Sequence, residues 1–102
     1  MNKEDSKWER RTFTSFVADV DLTAQSGMPK FPPIRLEVHN DEITTQDIVI
    51  RGPDAVNVTV EIPADSVRVV HGQTNAIEST GTQTIASVTA YWFVEGRVLR
   101  NT

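Results

Sequence analysis

Apolar and polar residues alternate at every position of residues 56–62 (VNVTVEI). A β-strand directs successive side chains to opposite faces of its sheet, so a period of two predicts a strand with one buried face and one wet face. We expect Val56, Val58, Val60 and Ile62 to be buried and the polar residues between them to be exposed. A shift of one residue would reverse every side chain, so the register of such a strand is strongly specified.

The same alternation recurs along most of the chain, and turn residues such as those at 52–54 and 63–65 separate the segments. Strands are predicted at residues 12–22, 34–39, 44–51, 56–62, 67–70, 83–94 and 97–100, with a short one near 76–77. Seven or eight strands at about ten-residue spacing are typical of a sandwich or a small barrel. The sequence therefore predicts an all-β fold, an antiparallel β-sandwich that is immunoglobulin-like or jelly-roll-like.

Two segments lack this alternation. Residues 1–10 have no periodicity and predict an extended N-terminal arm, which leaves residues 11–102 as a single β-sandwich domain. Residues 25–33 hold three prolines and a glycine. Because proline fixes φ and cannot donate to a sheet ladder, this segment predicts a stiff loop.

Composition narrows the classes of function. The net charge of −4 argues against nucleic-acid binding, which needs a basic surface. The absence of cysteine excludes disulfides, thiol catalysis and cysteine metal sites. The polar first residues do not form a signal peptide, and no apolar run approaches the about 18 residues of a membrane helix. We therefore expect a soluble protein, cytoplasmic when synthesised, that could afterwards reside in a virion.

Catalytic and metal-binding chemistry is weakly represented. His39 and His71 each stand at a strand end beside turn residues, and no serine has the glycines of a nucleophile elbow. Asp19 and Asp21 share one face of a strand, and residues 40–42 offer three oxygen ligands, but neither matches a calcium loop. Carboxylates that protect an edge strand from pairing explain Asp19 and Asp21 more simply. We predict no enzyme activity, no cofactor and no metal; a small enzyme with a histidine base is the least favoured alternative.

The aromatic residues are the more informative candidates. Strand alternation places Trp92 with apolar residues, and so in the core, while Tyr91 and Phe93 lie on the opposite, polar face. Two aromatic side chains on a polar face need a cover, which the arm, the proline-rich loop with Phe31, a partner chain or a sugar ring could provide. Trp8 stands among charged residues of the arm, where it docks either on its own domain or on a neighbour.

The predicted partner interface therefore consists of Trp8, Arg10, Arg11, Tyr91 and Phe93. The sequence favours a non-enzymatic structural protein with protein partners, a homo-oligomer or a subunit of a larger symmetric particle. Bacteriophage virion components, such as capsid decoration, neck or tail proteins, have this character. The alternative is a carbohydrate- or small-ligand-binding β-sandwich module that stacks its ligand on these rings.

Overall fold

The computed structural model describes residues 2–3, 7–79, 85–95 and 98–99. These residues form ten β-strands and no helix. The strands are β1 (Asn2–Lys3), β2 (Lys7–Phe13), β3 (Val20–Asp21), β4 (Arg35–Asn40), β5 (Gln46–Arg51), β6 (Asn57–Ile62), β7 (Ser66–His71), β8 (Ala76–Glu78), β9 (Ser87–Val94) and β10 (Val98–Leu99).

Eight of these strands form two antiparallel sheets of four. The first sheet has the order β2-β9-β4-β7, and the second sheet has the order β3-β8-β5-β6. Their facing sides supply a sandwich-like core, whose fully buried apolar side chains are Leu22, Leu36, Val38, Ile48, Ile62, Ile77, Val88, Ala90 and Trp92. The predicted all-β, antiparallel architecture is confirmed, as is the placement of Trp92 in the core.

The strand pairs are nested along the chain. The innermost pair is β5 with β6, and outside it follow β4 with β7, β3 with β8, β2 with β9 and β1 with β10. The outermost pairs, β1 with β10 and β2 with β9, have the same register. Lys3 pairs with Val98 and Lys7 pairs with Val94, so the step between the pairs is equal on the two strands. The chain is thus doubled back on itself around residues 52–56, and its two halves run side by side across both sheets.

The strand predicted over residues 12–22 is interrupted in its middle. β2 ends at Phe13 and β3 begins at Val20, and residues 14–19 between them belong to no strand. Phe16 and Leu22 are nevertheless buried. The interruption has a topological cause, since the chain leaves the first sheet after β2 and enters the second sheet at β3.

The burial predicted for β6 is right for Val60 and Ile62 and wrong for Val56 and Val58, whose side chains are 54% and 51% exposed. The alternation itself is correct, because Val58 and Val60 lie on the same face of the strand. β6 is an edge strand that pairs only with β5. The first half of its apolar face therefore lies at the margin of the core, where little covers it.

The N-terminal arm is not confirmed as predicted. Lys7–Phe13 is a strand that pairs with β9 along its whole length, so the absence of regular structure expected through residue 10 is wrong for residues 7–10. The local pattern failed here because β2 carries charged or polar side chains on both faces: its partner strand, rather than its own composition, holds it in the sheet.

Candidate partner interface

The outward side of the first sheet is defined by its central strand. Val88, Ala90 and Trp92 of β9 are buried between the sheets. Alternation along a strand then turns Tyr91 and Phe93 outward, as the sequence predicted. These two aromatic side chains lie on the solvent side of the sheet.

Neighbouring strands bring three more side chains to the same surface. Trp8 of β2 is directly opposite Phe93, and Arg10 of β2 is directly opposite Tyr91. On the other side of β9, Arg35 of β4 also pairs with Tyr91. We call the surface formed by Trp8, Arg10, Arg35, Tyr91 and Phe93 the aromatic face.

The rings of the aromatic face contact one another at steep angles. The ring centroids of Trp8 and Phe93 are 5.1 Å apart with an interplanar angle of 64°. Those of Trp8 and Tyr91 are 6.3 Å apart with an angle of 83°. Edge-to-face packing at such distances stabilises aromatic pairs, so Trp8 is held on its own sheet. Even so, 50% of Trp8 and 38% of Phe93 remain exposed to solvent.

A short polar network fixes the side of the aromatic face on β4. The guanidinium carbon of Arg35 lies 4.4 Å from the centroid of the Tyr91 ring, within the range of a cation–π contact. The same guanidinium donates a hydrogen bond of 2.5 Å to Glu37. Hydrogen bonds from Arg35 and then from Tyr91 hold the pKa of Glu37 below its ordinary value, while this carboxylate raises the pKa of Arg35.

The two arginines predicted at the interface have different positions. Arg10 lies on the aromatic face, where it forms no ion pair with any described residue. Arg11 pairs with the buried Ala90, so its side chain lies on the opposite side of β2, and its guanidinium approaches the loop at Gly27. Alternation along the strand separates these consecutive residues, and Arg11 is not part of the aromatic face.

The cover expected over Tyr91 and Phe93 comes in part from β2. The ring contacts of both residues are with Trp8. Phe31 of the proline-rich loop has another role, since its backbone carbonyl accepts a hydrogen bond of 2.9 Å from the indole N–H of Trp92. This bond satisfies the one polar group of the buried tryptophan.

Sequence reasoning missed Arg35 and Glu37. The alternation of residues 34–39 already indicated that both lie on the wet face of β4. This alternation does not indicate that β4 is next to β9, because the pairing of two strands about 50 residues apart depends on the whole fold.

The other candidate groups do not converge on a chemical site. His39 and His71 both project from the outward side of the first sheet, but they pair with different partners, Val67 and Arg35. The carboxylate of Asp21 accepts hydrogen bonds from the backbone N–H and the hydroxyl of Thr23. The carboxylate of Asp19 accepts one from the backbone N–H of Ser79. Across the described ranges, no three acidic or histidine side chains are grouped to hold a metal ion.

A scan against protein-family models found no match, and searches of curated proteins and of solved structures found none either. The described part of the chain includes no helix long and apolar enough to cross a membrane.

Proposed function

We propose that this chain is a non-enzymatic structural protein that binds a protein partner through the aromatic face. One observation supports this most: three aromatic rings cluster on the outward side of a sheet, yet half of Trp8 and over a third of Phe93 remain in water. Aromatic side chains and arginine are enriched at protein interfaces and dominate their energetics. A partner that covers this cluster would remove apolar area that the chain itself leaves wet.

The charges of the aromatic face suggest the chemistry of the partner. Arg10 and Arg35 contribute two positive charges, and Glu37 neutralises Arg35 at close range. Arg10 forms no ion pair in the described part of the chain and acts on Glu37 only at longer range. A partner surface with an apolar centre and a carboxylate near Arg10 would complement this arrangement, because opposite charges steer association and fix orientation.

We infer further that the sandwich is a jelly roll rather than an immunoglobulin-like domain. Four nested strand pairs wound into two four-stranded sheets have the topology of a jelly roll, whereas the last two strands of an immunoglobulin domain share a sheet. Here β8 and β9 lie in different sheets. Jelly rolls occur in viral capsid proteins and in lectins, so a virion component (capsid decoration, neck or tail) stays a prediction that fold analogy supports only in part.

Carbohydrate binding is the second candidate, because exposed aromatic rings can stack on sugars. The steep angles that the Trp8 ring makes with the Tyr91 and Phe93 rings argue against a linear glycan that stacks on Trp8 and on either neighbour. Consecutive sugar faces would need rings that share one orientation along the surface. A compact saccharide that uses the Trp8 ring alone would still fit, which is why a glycan array belongs in the test.

The test begins with the native complex. Tagged chain is purified from its source cells, the bound proteins are identified by mass spectrometry, and the purified partner is titrated against variants. We expect Phe93→Ala and Tyr91→Ala each to raise the Kd at least about 30-fold, the effect of truncating an interface hot spot.

Ile43→Ser is the matched control. Ile43 is 92% exposed and lies in the turn between β4 and β5, away from the aromatic face. Its substitution removes exposed apolar surface and should change the Kd less than about twofold. Unchanged binding in Phe93→Ala and Tyr91→Ala would contradict the proposal. A glycan bound by the wild type and lost in Trp8→Ala, with no protein partner, would support the alternative.

A further inference from the structure

Among the described strands, β2 forms a free edge of the first sheet, because it pairs with β9 on one side and with no described strand on the other. The direction of its backbone groups follows from the neighbouring strands. In an antiparallel strand, successive residues direct their N–H and C=O groups alternately to the two sides. The carbonyl of Tyr91 accepts a hydrogen bond from the N–H of Ile34, so the backbone N–H and C=O groups of Tyr91 point toward β4. The backbone groups of its neighbours Ala90 and Trp92 therefore point toward β2.

The residues of β2 that face Ala90 and Trp92 are Arg11 and Glu9. Their backbone groups are used in the β2–β9 ladder. The alternate residues Trp8, Arg10 and Thr12 consequently direct their N–H and C=O groups to the open edge. These are also the residues whose side chains lie on the outward side of the sheet. An open edge of this kind is a template for pairing with another strand.

Self-pairing of this edge is restricted by geometry. Two copies of β2 related by a two-fold axis run antiparallel, and a ladder forms only if residues with free backbone groups meet each other. This requires the axis to pass through a residue and not between two residues. Axes at Lys7, Glu9, Arg10 or Arg11 place a charge directly opposite its own copy, and like charges across a ladder are destabilising.

An axis through Trp8 avoids like charges and also creates favourable pairs, whereas an axis at Arg10 gains Glu9–Arg11 pairs but places Arg10 opposite its own copy. The Trp8 axis places Trp8 opposite the second copy's Trp8 and each Lys7 opposite the second copy's Glu9. An axis at Thr12 or Phe13 avoids like charges but creates no ion pair. Lys7 and Glu9 already form an ion pair of 3.0 Å within one chain, on the side of β2 away from Trp8. Two such pairs facing each other would interleave into a network of four alternating charges.

We propose that two copies of this chain associate through their β2 edges, antiparallel about a two-fold axis at Trp8. The first sheets then join along residues 7–9 of each β2 into one eight-stranded sheet, and the exposed half of each Trp8 packs against the other. The aromatic faces of both copies become neighbours on one side of this sheet. This interface shares Trp8 with the aromatic face but uses the backbone edge of β2, and it would exist without the partner-binding role of Tyr91 and Phe93.

The test measures dimer dissociation of the full chain by sedimentation equilibrium over a concentration series. A single strand pair with one aromatic contact is a small interface, so we expect a Kd of about micromolar order. Lys7→Glu and Glu9→Lys each create two like-charge pairs and should weaken the dimer at least about tenfold. The double variant Lys7→Glu/Glu9→Lys restores the alternation and should return the Kd to within about threefold of the wild type.

Lys30→Glu is the control for net charge, because it makes the same charge change on the exposed proline-rich loop and should leave the Kd unchanged. Lys7 and Glu9 are solvent-exposed, so thermal melts of dilute monomer should hardly differ among the variants. A wild type that stays monomeric at about 100 times the expected Kd, or a dimer indifferent to both single substitutions, overturns the proposal. Rescue of Glu9→Lys by Arg11→Glu instead of Lys7→Glu would overturn the Trp8 axis in favour of one at Arg10.

Discussion

The side chain of Asn40 connects two turns of the fold through hydrogen bonds. The side chain is fully buried at the end of β4. Its amide nitrogen donates to the backbone carbonyls of Thr44, Ile62 and Pro63 at 2.9, 3.1 and 3.1 Å. Its amide oxygen accepts a hydrogen bond of 2.9 Å from the N–H of Glu42. One side chain thus joins the β4–β5 turn in sequence to the β6–β7 turn that lies beside it in space.

We expect Asn40→Ala to lower the free energy of unfolding by about 2–4 kcal/mol. The substitution removes one buried and three part-buried hydrogen bonds, and a buried group left without a partner costs about 1–3 kcal/mol. Urea denaturation measures the change. Asn57→Ala is the matched control, because Asn57 is exposed on β6 and should cost less than about 0.5 kcal/mol. Equal stability of the two variants would contradict the role of Asn40.

Among the strands, β6 shows that a regular apolar face need not be buried along its whole length. Its apolar residues share one face, but only its second half is covered by the first sheet. Val58 lies opposite Ile50, and Val60 lies opposite Ile48, one step deeper in the core. The same residue type on the same face therefore contributes differently to stability.

Val60→Asp should prevent stable folding or lower the free energy of unfolding by more than about 3 kcal/mol, since it buries an unpaired charge. Val58→Asp should cost less than about 1 kcal/mol because half of that side chain is already in water. Thermal and urea melts of the two variants, compared with the wild type, check the difference. Similar losses in both would mean that the margin of the core reaches Val58.

At the scale of the whole molecule, the ionised carboxylates make folding sensitive to acid. Hydrogen bonds from Arg35 and Tyr91 lower the pKa of Glu37, and those from Thr23 lower the pKa of Asp21. The backbone N–H of Ser79 lowers the pKa of Asp19. In contrast, the hydrogen bond with Asp19 raises the pKa of Glu78, so a proton added in acid goes to Glu78 first.

A carboxyl group with a lowered pKa binds its proton more weakly in the native state than in the unfolded state. Its contribution to stability is present above about pH 4 and is lost as the pH falls through the lowered value. Glu78 acts in the opposite direction, but it shares its hydrogen bond with Asp19, so these two contributions oppose each other and Glu37 and Asp21 set the sign. We therefore expect the free energy of unfolding to fall as the pH is lowered from about 5 to about 3.

Urea denaturation across this pH range checks the slope. Glu37→Gln should make the fall shallower, because it removes one of the carboxylates that must be protonated against its hydrogen bonds. Glu61→Gln, on the exposed side of β6, controls for the loss of a charge. A slope in Glu37→Gln that equals the wild-type slope would exclude Glu37 from the acid response.

Much of the fold could be predicted because strand alternation is local. The segments around β4, β5, β6, β7 and β9 were recognised within a few residues, since one face of each is apolar and the other polar. β2 was missed because both of its faces carry charged or polar side chains. Part of the candidate site was predicted as well: Tyr91 and Phe93 were assigned to one outward face from two residues of alternation.

The strand class, the turn positions and the face on which each side chain of a recognised strand lies follow from the amino-acid sequence, because they depend on backbone geometry over a few residues. The choice of neighbouring strands depends on the complete fold. The fold places Trp8 against Phe93, sets Arg35 on Tyr91, and joins the hydroxyls of Thr12 and Thr89 across 77 positions of the chain. Such pairings depend on how two complete sheets bury their apolar faces together, and no local pattern contains that information.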